Sequence, residues 1–93
     1  MKNKKIIYIR KKLDLLDNKF LDLIKERTKL VDIIVGNKKY KKEIVDKKRI
    51  NKIINIIRKK SIKRKIDPSI TKAIWTNMIR AYIKYEYKVF KKK

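Results

Sequence analysis

The sequence predicts an all-α protein, a three-helix chain whose first helix is too long for its own domain. Three observations carry this. The chain has one Gly and one Pro in 93 residues, too few for a β-rich fold full of tight turns. Its apolar residues recur at three- and four-residue spacing rather than alternating. No apolar run approaches the ~20 residues that span a bilayer. The N-terminus also lacks a secretory signal pattern, so the expected setting is the cytoplasm. Length allows one small domain over 1–93.

The first helix is expected from about Lys5 to Gly36, a stretch with no internal breaker. Ile9, Leu13, Leu16, Phe20, Leu23, Leu30 and Ile34 form a 4-3-4-3 seam with one interruption, the spacing that packs helix on helix. Gly36 and Asn37 suit its end. The second helix is expected from roughly Glu43 to Lys59, with Ile50, Ile53, Ile54 and Ile57 on its apolar face. The basic stretch Lys60 to Lys65 reads as a linker. Asp67 and Pro68 then supply an N-cap and a first helical residue. The third helix should reach about Phe90, with Ile74, Trp75, Met78, Ile79, Tyr82 and Val89 inward and 91–93 a basic tail.

Length turns this pattern into an expectation about assembly. A helix of about 32 residues is roughly 48 Å long, whereas a globule of ~100 residues has a radius of gyration near 13 Å. Two shorter helices of the same chain cannot cover such a seam. An intertwined homodimer is therefore expected, with two long helices packed together.

Composition narrows the chemistry. There is no Cys and no His, hence no thiolate nucleophile, no imidazole base and no metal site built on either; no metal and no cofactor is expected. The formal net charge is +22, which suggests a polyanionic partner. Yet the excess is almost all Lys, 25 against 6 Arg, in a chain with 18 Ile. Those residues share A/T-rich codons, and nucleic-acid binders more often use Arg for phosphate and guanine. Nucleic acid is the less favoured partner on these grounds.

Charged residues on apolar faces are more informative. Arg27 occupies the seam between Leu23 and Leu30, where an unpaired guanidinium would be costly to bury. Lys38 lies eleven residues on, close to three whole turns, and Arg10 sits beside the seam start. Asp46 and Arg49 share the stripe that continues into Ile53 and Ile57. Glu86 falls four after Tyr82 and three before Val89, where burial disfavours a carboxylate unless a cation answers it. Each has a plain structural explanation: Arg27 can snorkel or pair with Glu26 or Asp46, Asp46–Arg49 can be a helix-surface pair, and Glu86 can answer a Lys. Together they suit a small, multiply anionic ligand in a cavity. Arg10 and Arg27 are 17 residues apart, about 25 Å along a helix, and cannot grip one small molecule from a single chain. In an antiparallel dimer, Arg10 of one chain can approach Arg27 of the other.

The stretches IRKKLDLLD at 9–17, LIKERTKLV at 23–31, Lys38, DKKR at 46–49 and IWTNMIRAYIKYE at 74–86 resemble the all-helical chorismate mutases. That resemblance implies an intertwined dimer with two shared active sites. It implies that Arg27 and the partner's Arg10 clamp the carboxylates of chorismate, with Arg49 supporting them. Asp46 would help hold the ring hydroxyl. Lys38 and the side chain at 86 would donate to the ether oxygen. The reaction is a [3,3] rearrangement to prephenate, which needs no nucleophile, proton shuttle, metal or cofactor and proceeds by positioning and electrostatic stabilisation.

Three positions depart from the family pattern. Glu86 stands where many members have Gln, and only a protonated carboxyl can donate, so activity is expected to fall as pH rises. Ile50 stands where a Glu commonly binds the ring hydroxyl. Tyr82 replaces a small hydroxyl residue and tightens the pocket. Isochorismate pyruvate lyases use the same scaffold, and an inactive homologue would keep only the fold. A different class of function, a basic helical nucleic-acid binder, would use RKKSIKRK at 58–65.

Overall fold

The computed structural model describes residues 3–91. It contains three α-helices: α1 (Lys4–Gly36), α2 (Lys47–Lys63) and α3 (Pro68–Val89), with a short 3-10 turn at Lys41–Glu43. The all-α expectation holds. Lys91 follows α3 and the rest of the expected tail lies outside the described residues. Among the described residues no helix is long and apolar enough to cross a membrane.

The chain divides into two compact units, Met1–Ile33 and Ile34–Lys93. The first is one helix, most of α1. Asn3 caps it, its Oδ1 accepting from the backbone N–H groups of Lys5 at 2.9 Å and Ile6 at 3.3 Å, which satisfies donors that a helix start otherwise leaves free. Every residue of the 9–30 seam is exposed. A single helix has nothing of its own to pack that seam against.

The second unit is built on the packing of α2 against α3. Ile50, Ile53, Ile54 and Ile57 are half-buried there, as are Trp75, Met78, Ile79, Tyr82 and Val89. Ile74 is not; it lies on the exposed side of α3. The buried apolar side chains among the described residues are Val35 and Ile44, on either side of the connection that leaves α1. Helix α1 ends at Gly36 by tightening, with the N–H groups of Asn37 and Lys38 bonded to the carbonyls of Ile34 and Val35. Gly36 keeps a negative φ, so its role is to end the helix without a left-handed cap.

Helix α2 departs from expectation at both ends. Glu43 does not begin it. The Glu43 carboxylate turns back to accept from the N–H groups of Lys39 at 2.8 Å and Tyr40 at 3.3 Å, closing a separate turn. Asp46 is the N-cap, extended at φ −111°, its Oδ1 accepting from Arg49 N–H at 3.0 Å. At the other end, Lys60–Lys63 are helical rather than linker. The helix stops because Lys65 adopts φ 58°. The Ile66 N–H then reaches Ser61 O and the Lys65 N–H reaches Ile62 O, the paired bonds of a Schellman cap.

Ser61 is buried and bonded in two directions. Its Oγ lies 2.7 Å from Ile57 O and 2.7 Å from Thr71 Oγ1. A hydroxyl has one proton, so if Ser61 donates to the carbonyl, Thr71 donates to Ser61 and stitches α3 to α2. Asp67 caps α3 as expected, accepting from the Ser69 N–H at 2.9 Å and hydroxyl at 2.8 Å. Those two bonds, the backbone one foremost, hold the Asp67 carboxyl below the usual carboxylate range.

Candidate active site

The second unit holds a cavity of about 330 Å³ between α2, α3 and the connection from α1. Its walls are largely aliphatic: Ile34, Ile44, Ile50, Ile53, Ile79 and Ile83 line it. Into it α3 brings Tyr82 and Glu86, one turn apart, while α2 brings Arg49 and its capping residue Asp46.

Lys38 meets Glu86 in this cavity. Its Nζ lies 3.0 Å from Glu86 Oε1, an ion pair linking residues 48 apart in sequence. Glu86 is buried, with 9% of its surface exposed, and its pairing with Lys38 explains how a carboxylate occupies the inner face of α3. A pair at this depth loses hydration and depends on its own geometry to offset that loss. Removing either partner strands the other.

Asp46 is already explained as a cap, whether or not it meets a ligand. The same holds for Glu43, which lines the cavity and is engaged by two backbone N–H groups. Sequence reasoning missed Glu43 as a lining residue. Its signal was a carboxylate placed to bond back to Tyr40, obscured because Tyr is not a usual capping residue. Arg49 is exposed and has no ion-pair partner among the described residues. Ile50 forms part of the wall, and Tyr82 packs edge-on against Tyr85 with ring centroids 6.4 Å apart.

Six of the eight sequence-predicted residues thus line one cavity: Lys38, Asp46, Arg49, Ile50, Tyr82 and Glu86. The other two, Arg10 and Arg27, belong to the first unit, where both are exposed. Among the described residues no cluster of three acidic side chains could hold a metal ion.

Comparison with protein families gives a match. The model for chorismate mutase type II matches residues 9–87. The chain belongs to this family. Comparison with curated proteins and with solved structures gives no match. The matched stretch of the chorismate mutase type II domain starts one residue before Arg10 and ends one after Glu86. It therefore contains all eight candidate residues.

Proposed function

We propose that the protein is a chorismate mutase, an isomerase that converts chorismate to prephenate on the route to phenylalanine and tyrosine. The observation that carries this is the Lys38–Glu86 pair inside an isoleucine-walled cavity on a chain of this family. The rearrangement breaks a C–O bond while a C–C bond forms, and negative charge develops on the ether oxygen. Lys38 would donate to that oxygen. Glu86, whose side chain the family resemblance places beside that oxygen, would hold Lys38 in position through the 3.0 Å ion pair. Preorganised donors in a water-poor site supply stabilisation of this kind.

The charge count of the cavity supports a shared site. Within one unit the lining offers two cations, Lys38 and Arg49, against three carboxylates, Glu43, Asp46 and Glu86. Chorismate brings two more negative charges, so further cations must be supplied. Arg27 and the partner's Arg10 fill that role in a homodimer built on the exposed α1 seam, with 1–93 acting as one functional domain in the cytoplasm. Asp46 holds the ring hydroxyl in this proposal, Ile50 and Tyr82 shape the pocket, and no cofactor takes part.

The test is the disappearance of chorismate with purified protein at a mildly acidic and a mildly alkaline pH, with the product identified. Prephenate as the product is the expected result. Pyruvate as product would replace the mutase reading with a lyase. No turnover from a folded helical dimer would mean that Ile50 and Tyr82 mark a lost site.

A further inference from the structure

The proposed chemistry uses the N-terminal half of α2 and leaves its C-terminal turn without a role. Ten of the nineteen residues 47–65 are Lys or Arg and none is acidic. Helix α1, by contrast, carries five acidic residues against nine basic ones. A codon bias raises Lys along the whole chain, but it does not by itself clear one helix of carboxylates. From Arg49 to Lys63 is ~21 Å of helix, more than two Debye lengths at physiological salt. The distal cations therefore do little for an anion bound beside Arg49.

A second cavity, of about 230 Å³, lies next to that distal cluster. Ile57, Ile66 and the half-buried Trp75 line it together with Lys60 and Arg64. Of these two cations, Arg64 is held in place by the end of α2. Arg64 Nη1 donates to Lys60 O at 3.2 Å, and the Schellman cap fixes the backbone that follows. No carboxylate lines this cavity, and Asp67 nearby in sequence is engaged by Ser69. An aromatic amino acid would find no carboxylate there to receive its ammonium group. A folded acidic partner also fits poorly, because Lys is depleted where proteins meet proteins. An aromatic ring carrying phosphate charge matches an indole-lined cavity rimmed by Lys and Arg.

We propose that this cavity binds a nucleoside phosphate, with the base against Trp75 and the phosphate on Lys60 and Arg64. The ligand is either a free nucleotide or one unit of a single-stranded nucleic acid whose backbone follows the basic face of α2. Base stacking on an aromatic side chain tolerates any base, and the cations follow the backbone. The proposal is independent of the mutase reading, since it uses none of the residues assigned to that site.

Trp75 is the only Trp in the chain, so its fluorescence reports this site alone. The full-length protein is titrated with adenosine monophosphate, a short single-stranded oligonucleotide and inorganic polyphosphate. Saturable quenching by a nucleotide ligand is expected, with log affinity falling against log salt by about 0.7 per phosphate neutralised on a strand. The double variant Lys60→Gln/Arg64→Gln should bind about tenfold or more weakly and keep its chorismate turnover. Equal affinity for the mononucleotide and the oligonucleotide assigns a free-nucleotide site, and much tighter oligonucleotide binding assigns a strand. The proposal is overturned if neither nucleotide quenches Trp75, if the double variant binds normally, or if polyphosphate binds as tightly as the oligonucleotide and the nucleotides leave Trp75 unquenched.

Discussion

The two units of this chain carry opposite mismatches between side chain and surroundings. In the first, a regular apolar seam meets water: Leu13, Leu16, Phe20 and Leu23 are 52–56% exposed. In the second, aliphatic walls enclose charge: Lys38 and Glu86 pair among isoleucines. An apolar stripe with no cover, interrupted only at Arg27, marks a face whose partner lies outside the unit. A broken pattern whose charges find each other inside the unit marks a site. The seam therefore speaks to assembly and the anomalies to chemistry, and each can be attacked separately.

The largest effects are expected at the proposed active site. Lys38→Ala removes the donor proposed for the ether oxygen and strands Glu86, so kcat should fall on the order of a hundred- to a thousandfold. Arg27→Ala should cost a comparable factor in kcat/KM while far-UV circular dichroism keeps its helical signal. Substantial turnover in either variant would remove that residue from the mechanism.

Phe20→Glu attacks the first unit and touches no proposed site residue. Burying an aromatic of this size contributes roughly 1.5–3 kcal/mol, twice over in a symmetric dimer, and a Glu in its place adds the cost of a buried charge. Sedimentation should show a monomer, and activity should vanish with the dimer because each site would lose the partner's Arg10. A fully active monomer would break the shared-site proposal while leaving the cavity chemistry standing.

Glu86→Gln sharpens the second half of the comparison. As a carboxylate paired with Lys38, Glu86 holds that donor in place but has no proton of its own to give the ether oxygen. A Gln amide donates at every pH. The variant should therefore turn chorismate over roughly tenfold or more faster, with the amide as a second donor beside Lys38. An unchanged or lower kcat in the variant would leave Glu86 only the structural counterion of Lys38.

How much was legible follows from where each signal lives. Helix α1 was readable because nothing between Lys5 and Gly36 interrupts it, and α3 because Asp67–Pro68 is a local start signal. The start of α2 was misplaced because Glu43 and Asp46 are both able to cap. Only the fold shows that Glu43 closes its own turn while Asp46 takes Arg49 N–H. Lys38 and Glu86 were each visible as oddities of periodicity. Their pairing across 48 residues depends on how the connection packs on α3, which no helical period encodes. The same is true of the Ser61–Thr71 hydroxyl pair, hidden within a run that read as basic linker.

The end of α2 offers the finest test of that distinction between local and long-range signals. Lys65 holds φ 58°, a conformation that costs a side chain with a Cβ roughly 1–2 kcal/mol and Gly almost nothing. Nothing in the residue type announces it; a Lys between Arg64 and Ile66 reads as more helix or as loop. The cap bonds from Ile66 and Lys65 to the last turn, with the buried Ser61 anchoring that turn to Thr71, impose it. Lys65→Gly should then stabilise the protein by about 0.5–1 kcal/mol after the extra freedom of Gly in the unfolded chain is counted. That corresponds to a thermal midpoint a few degrees higher. Lys65→Val should move it the other way, because a β-branched residue tolerates positive φ poorly. If Gly instead lowered the midpoint, as it does by about 1 kcal/mol inside an ordinary helix, α2 would run through residue 65 in solution, and the separation between its cap and the basic turn would be lost.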